Sequence, residues 1–297
     1  MIFVPESKSA TMRNIDPIGQ ALAVLFLFGV VFALIEGPGQ GWTSPLVLGL
    51  AITAAVAFAG FLTYEGRRDD PFVDLRFFRS IPFASATLTA ISAFAAWGAF
   101  LFIMSLYLQA ERHFSAMQTG LIYLPIAVGA LLFSPLSGRL VGRYGARPSL
   151  LTAGVLITCA SVLLTFLTAT TPVWELLILF TVFGIGFSMV NAPVTNAAVS
   201  GMPLDRAGAA SAVTSTSRQV GVSIGVALCG SLTGTALTQL GSDFAAAARP
   251  LWFVCVGLGI VVFSLGVYAT TPKALRSAER LAPLIANSST PKVTADV

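Results

Sequence analysis

Charge is the scarcest feature of this sequence. Aspartate and glutamate together number 13 in 297 residues, lysine and arginine 17, and histidine one, so charged residues make up 10% of the chain. Soluble domains carry about a quarter, and a chain with so few ionic groups has little with which to hold a large surface in water. The single histidine, His113, stands in a short polar link beside Glu111 and Arg112 and reads as a solvated loop residue rather than a pH sensor. Three cysteines, Cys159, Cys229 and Cys255, lie far apart within apolar runs, with no CxxC pair and no neighbouring histidine. They read as small core residues, which excludes a disulfide framework and a metal cluster. With no nucleophile paired to a base, the sequence predicts neither an enzyme nor a need for metal or cofactor.

What is present is apolar surface: 56% of residues are hydrophobic and the mean hydropathy is +0.84. These values belong to an all-helical integral membrane protein. The formal charge of +4 and pI near 9.2 then describe loops at a membrane surface, not a nucleic-acid partner. A window of about 19 residues, the helical length that crosses a hydrocarbon core of about 30 Å, finds eight spans. They fall near 18–36, 45–63, 84–109, 120–137, 149–168, 174–196, 211–237 and 250–270. Asp16-Pro17, "EGPGQGWTSP", Pro172 and Arg249-Pro250 punctuate their ends. "MIFVPESKSATMRNIDP" has no apolar stretch, so no signal peptide is expected and the first run should remain a permanent span.

Eight spans put both termini on one side. Of the 17 basic residues only Arg112 and Arg249 fall on the other side, a bias that predicts cytoplasmic termini. The densest basic stretch is "SPLSGRLVGRYGARPSL", residues 134–150, where Arg139, Arg143 and Arg147 are spaced by glycine. The arginines should hold a tight cytoplasmic turn. Gly138 and Gly142, four apart, should let another backbone approach, and Gly145 should take the positive φ that a reversal needs.

Gly138, Leu140, Arg143, Gly145 and Arg147 resemble the loop signature of the major facilitator superfamily, with Gly142 where that pattern has Asp and Ala146 where it has Arg. "SLYLQAERHFSAMQTGLIYLP", "DRAGAASAVTSTSRQVGVSIGVA", and "EGPGQGWTSP" followed by "PFVDLRFFRS" are similar to the fourteen-helix drug:proton antiporter family within it. The resemblance implies a two-helix insert at 17–66 after a cytoplasmic link at 1–16. A linker at 67–82 and a six-helix, three-plus-three transporter half at 83–271 would follow, then a partly disordered cytoplasmic tail at 272–297. It implies the C-terminal half of a proton-driven multidrug exporter in the cell membrane, working by alternating access.

The same resemblance implies that six N-terminal helices are missing. Every acid of this sequence lies in a loop, in a tail or at a span end, whereas proton coupling needs a titratable carboxylate within the membrane. A separately encoded six-helix half is therefore the expected partner, beside membrane lipid and a small amphipathic substrate. The alternative is a non-transporting, partner-binding membrane protein. Arg218 is the one basic residue within a span; either its helix begins late or its side chain snorkels, or, with Gln219, it helps close a cytoplasmic gate. The resemblance places a half-to-half seam at Gly221 and Gly225. It places a substrate cavity among Phe94, Trp97, Met104, Tyr107 and Gln109 on one helix and Phe183, Phe187, Asn191 and Asn196 on another. Pro193, between the two asparagines, should free a backbone carbonyl.

Overall fold

The computed structural model describes residues 16–297 except 69–73, 201–203, 240–243, 275, 278–279 and 281–297. The expected N-terminal link up to residue 15, most of the tail, and Glu6, Asp69, Asp70, Asp243, Glu279 and Asp296 lie outside the described residues. The described chain is helical throughout: α1 Pro17–Gln40, α2 Pro45–Glu65, α3 Ile81–Leu106, α4 Ala116–Tyr144, α5 Ala146–Leu164, α6 Val173–Val199, α7 Leu204–Gln239, the single turn α8 Phe244–Ala247, and α9 Arg249–Tyr268.

Helix starts follow from local chemistry. Asp16 caps α1 by accepting from Gly19 N at 2.9 Å, with Pro17 supplying the first helical φ. Ser44 and Pro45 do the same for α2, Ser80 and Pro82 for α3. Ser115 and Gln118 form a reciprocal capping box on α4, at 3.2 and 2.9 Å. In the linker, Asp74 caps the turn Leu75–Arg79 and pairs with Arg76 at 2.8 Å.

Seven of the described helices are long and apolar enough to cross a membrane: α1, α2, α3 with its π-turn to Glu111, α4, α5, α6 and α9. They coincide with seven of the eight expected spans. The remaining one, 211–237, lies within α7, a helix of 36 residues whose N-terminal part is polar. The two ends that meet at the α4–α5 turn differ from expectation, and α5 begins at Ala146 rather than near 149. α4 runs to Tyr144, so Arg139 and Arg143 ride on the helix itself and the turn shrinks to Gly145. A helix need not stop where hydropathy stops, because its last turns can extend into the interface and carry cations that suit its C-terminal dipole.

Packing sets the layout. α3 lies along α7, α5 along α9 and α6, and α4 along α6; α1 and α2 form a hairpin whose α1 leans on α7. The buried core runs through α3, α5, α6 and α9, with Phe100, Phe180, Phe183 and Trp252 fully enclosed. Phe100 stacks on Phe183 at 4.2 Å and meets Phe180 edge-on at 4.9 Å. Cys229 and Cys255 are buried as expected, but Cys159 is exposed on the outer surface of α5. Among the described residues every carboxylate stands at a helix end or in a turn, none in the middle of a helix.

Candidate functional site: an aromatic wall with one arginine

Phe94 and Trp97 lie one turn apart on α3, and Phe187 on α6 fills the space between them. Trp97 stacks on Phe187 with centroids 4.5 Å apart and planes 9° from parallel. Phe94 meets Phe187 edge-on at 5.0 Å. All three are half-buried, so they form a contiguous ring surface backed by the enclosed Phe183 and Phe100. Asn191, one turn along α6 from Phe187, is also half-buried.

Arg218 joins this wall from α7. Its guanidinium stands over the Phe94 ring at 5.6 Å and Nη2 donates to Thr195 Oγ1 at 2.6 Å, while Nε, buried, has no partner. α7 begins at Leu204, so the reading in which Arg218 precedes its helix is overturned. Instead the side chain is held half-buried by a ring and a hydroxyl, a cation–π contact strengthened by partial desolvation. Gln219 points to the exposed side.

Other expected cavity residues are elsewhere. Met104 and Tyr107 are fully buried at the far end of α3, and Tyr107 donates to the Thr168 carbonyl at 2.6 Å under the Arg112 guanidinium. Both belong to the buried core that α3 shares with α5, α6 and α9. Gln109 is exposed in the π-turn. Asn196 is five residues from Asn191, which turns it to a different side of α6, into a cavity at the end that joins the α4–α5 turn.

Several glycine expectations also change. Gly221 and Gly225 face α3, not an open seam: a Cβ on Gly221 would lie 2.5 Å from the Ile91 carbonyl oxygen, and one on Gly225 would overlap the Ala95 carbonyl. Gly138 and Gly142 meet nothing within 4 Å, so among the described residues no other backbone approaches them. Gly145 does take positive φ, at 76° with ψ −177°, a region that is essentially glycine-only. Arg139, Arg143 and Arg147 are exposed.

The carbonyl freed by Pro193 belongs to Met189, four residues earlier, and it is not left for substrate. Ser149 Oγ on α5 and Ser137 Oγ on α4, both fully buried, lie 2.8 and 3.0 Å from it and 2.6 Å from each other. The pair ties three helices together at the point where α6 loses a rung. Sequence reasoning named the proline but missed the serines; their only signal is being small and polar inside apolar helices.

Comparison with known proteins gives the same direction. A family model described as Major Facilitator Superfamily matches residues 15–226. The chain is 34% identical over 232 residues to the multidrug resistance protein Stp of Mycobacterium tuberculosis, covering 78% of this chain and 43% of that protein. It is 32% identical over 233 residues to the tetracenomycin C resistance and export protein of Streptomyces glaucescens, with the same shares of 78% and 43%. To the methylenomycin A resistance protein of Streptomyces coelicolor it is 33% identical over 233 residues, 77% of this chain and 48% of that one. The chain thus spans less than half the length of these relatives.

Proposed function

The chain belongs to the Major Facilitator Superfamily, a family of multi-pass membrane transporters with drug-resistance members, and from that membership we propose that it forms one side of a proton-driven exporter of amphipathic compounds. In this reading α1 and α2 are the two-helix insert, and α3, α4, α5, α6, α7 and α9 are the six helices of a transporter half in the cell membrane, with α7 as the eighth span and both termini cytoplasmic. The observation that carries it is the half-buried aromatic wall of Phe94, Trp97 and Phe187 with Arg218 at its edge. Rings backed by a rigid core and fronted by one cation suit a flat, amphipathic molecule.

The wall is one-sided, and the chain's acids offer no mid-helix proton site among the described residues. Both needs are met by a second six-helix half carrying a membrane carboxylate. Its docking face is α4 rather than the Gly221–Gly225 side of α7. Met117, Leu121, Leu124, Val128 and Leu131 are exposed at alternating spacings of four and three, and Gly138 and Gly142 continue that stripe with open space above them. This spacing is the one that lets two helices pack side by side.

The test is efflux of an amphipathic fluorescent dye from proteoliposomes bearing a pH gradient. The chain co-reconstituted with a six-helix half that holds a membrane carboxylate should export the dye; the chain alone should not. Failure of the pair would overturn the exporter reading, and gradient-driven export by the chain alone would overturn the need for a second half.

A further inference from the structure

Arg218 sits on the aromatic wall without a counter-ion. Its Nη2 donates to Thr195 Oγ1, while its other terminal nitrogen, Nη1, bonds nothing among the described residues. With Nε enclosed, Nη1 keeps two protons and Nη2 one for another acceptor. They are within reach of a ligand, because Thr195 is exposed, Arg218 is partly so, and the bond between them lies at the surface. The helices around the wall bring no carboxylate to it. α3 and α4 contain no acid, and those of α6 and α7 are Glu175 and Asp205, in their first turns. Glu175 lies about 18 Å along the helix axis from Phe187, and Asp205 about 20 Å from Arg218. The helix α1, which leans on α7, holds only Glu36, in its last turns.

A second observation lies on α6. Phe187, Asn191 and Thr195 follow at intervals of four residues and so share one stripe of that helix. Asn191 stands between a ring of the wall and the hydroxyl that holds Arg218. Its side-chain amide has no partner among the described residues and is not enclosed. The wall is therefore polar at one edge only: rings along most of its length, then a free amide and a guanidinium. A half-buried cation with no counter-ion carries a desolvation cost that an anion in its place of contact would offset. The same charge repels a lipophilic cation.

We propose that this wall selects planar aromatic anions, with the ring system against Phe94, Trp97 and Phe187 and an anionic oxygen, as in a carboxylate or phenolate, accepting from Arg218 and Asn191. Its role in transport rests on the exporter reading above; the binding preference belongs to this chain by itself. A guanidinium presents two parallel N–H groups to a carboxylate, and charge-assisted hydrogen bonds are roughly twice as strong as neutral ones. Arg218 is thus the residue that sets which charge is accepted, while the rings supply the apolar area that every flat ligand uses.

Three anthracenes of one shape, carrying carboxylate, hydroxymethyl or aminomethyl at the same ring position, offer an anion, a neutral molecule and a cation at neutral pH. Their fluorescence anisotropy with the 297-residue chain in non-ionic detergent, measured against empty micelles, reports binding. The wild-type chain should bind the carboxylate about tenfold or more tighter than the neutral probe, the gain expected from one charge-assisted hydrogen bond, and the cation most weakly. Arg218→Gln should bind the carboxylate about tenfold more weakly and the neutral probe as before, so that the neutral probe checks the fold of the same variant. Arg218→Lys should keep part of the preference, Trp97→Ala should weaken all three probes, and Arg139→Gln, an exposed arginine away from the wall, should behave as wild type. Cation binding equal to or tighter than carboxylate binding in the wild type overturns the proposal whatever the variants do. So does a preference that survives Arg218→Gln or disappears in Arg139→Gln. Dye export by the co-reconstituted pair is a separate readout: export without an anion preference leaves the exporter reading standing and removes this one, and an anion preference without export does the reverse.

Discussion

Gly98 and Val222 touch backbone to backbone: a Cβ on Gly98 would lie 2.6 Å from the Val222 carbonyl oxygen. With Gly221 against Ile91 and Gly225 against Ala95, this contact fixes how closely α3 and α7 run. Neither backbone can yield, so Gly98→Leu or Gly221→Leu should force the helices apart at a cost of about 1–3 kcal/mol or more. Gly120→Leu and Gly138→Leu, where the added carbon meets nothing, should be tolerated by the isolated chain. Size-exclusion profiles and unfolding midpoints of the four purified variants check the contrast; equal behaviour would dissolve it.

At the α4–α5 turn, Gly145 holds φ 76° and ψ −177°. A β-branched residue there meets backbone strain of about 1–3 kcal/mol whatever space surrounds it. Gly145→Val should therefore lower the unfolding midpoint and the yield of folded chain. Gly142→Asp should not, since nothing lies within 4 Å of the position. Parallel measurement of both variants distinguishes strain from crowding.

Arg218 grips Phe94 and Thr195 together. Arg218→Ala should leave the fold intact, because the side chain is half-exposed, yet cut dye efflux in the co-reconstituted pair several-fold. Arg218→Lys should fall between, since a point charge can sit over a ring but lacks the planar fork that reaches the hydroxyl at once. Unchanged efflux in Arg218→Ala would remove the arginine from the transport site.

Seven spans, and to within a residue the helix starts at Pro17, Pro45, Val173 and Arg249, could be read from the sequence, because membrane burial demands unbroken apolar runs and proline punctuates those four starts, whereas α3, α4, α5 and α7 begin ahead of their apolar runs on polar caps or polar first turns. The wall of Phe94, Trp97 and Phe187 was also within reach, through residue type and helix. What was not legible is direction. Gly221 and Gly138 look alike in sequence, yet one is pressed on α3 and the other faces open space. Asn191 and Asn196 look like a pair, yet they serve different faces of α6. Hydropathy carries no rotational signal in a helix whose lipid-facing and core-facing residues are equally apolar.

The side on which each turn lies is open to direct measurement. In a background with Cys159, Cys229 and Cys255 replaced by serine or alanine, single cysteines at Gln40 and Thr170 should react with an impermeant maleimide on intact cells. Cysteines at Tyr144 and Ala146 should react only after permeabilisation, as the crowding of arginine around the α4–α5 turn requires. The reverse pattern would invert the orientation.

The serine pair beneath Met189 gives the sharpest energetic test. Two hydroxyls bring two protons to three close contacts, so one serine donates to the carbonyl while the other is free to donate to its neighbour. Removing either leaves the other to serve Met189, and Ser137→Ala or Ser149→Ala should each cost about 1 kcal/mol. Removing both strands a fully buried carbonyl that has no helical donor, since residue 193 is proline, and the double variant should lose about 1–3 kcal/mol beyond the sum of the singles. Pro193→Ala restores an N–H four residues on from Met189, so in that background the extra loss should shrink toward zero. Wild type, the two single variants and the double variant, each made with and without Pro193→Ala, form a cycle whose unfolding free energies are compared at matched detergent. An extra loss that persists undiminished once the proline is replaced would mean that the serines act by packing α4 on α5, and not by satisfying the carbonyl that the proline releases.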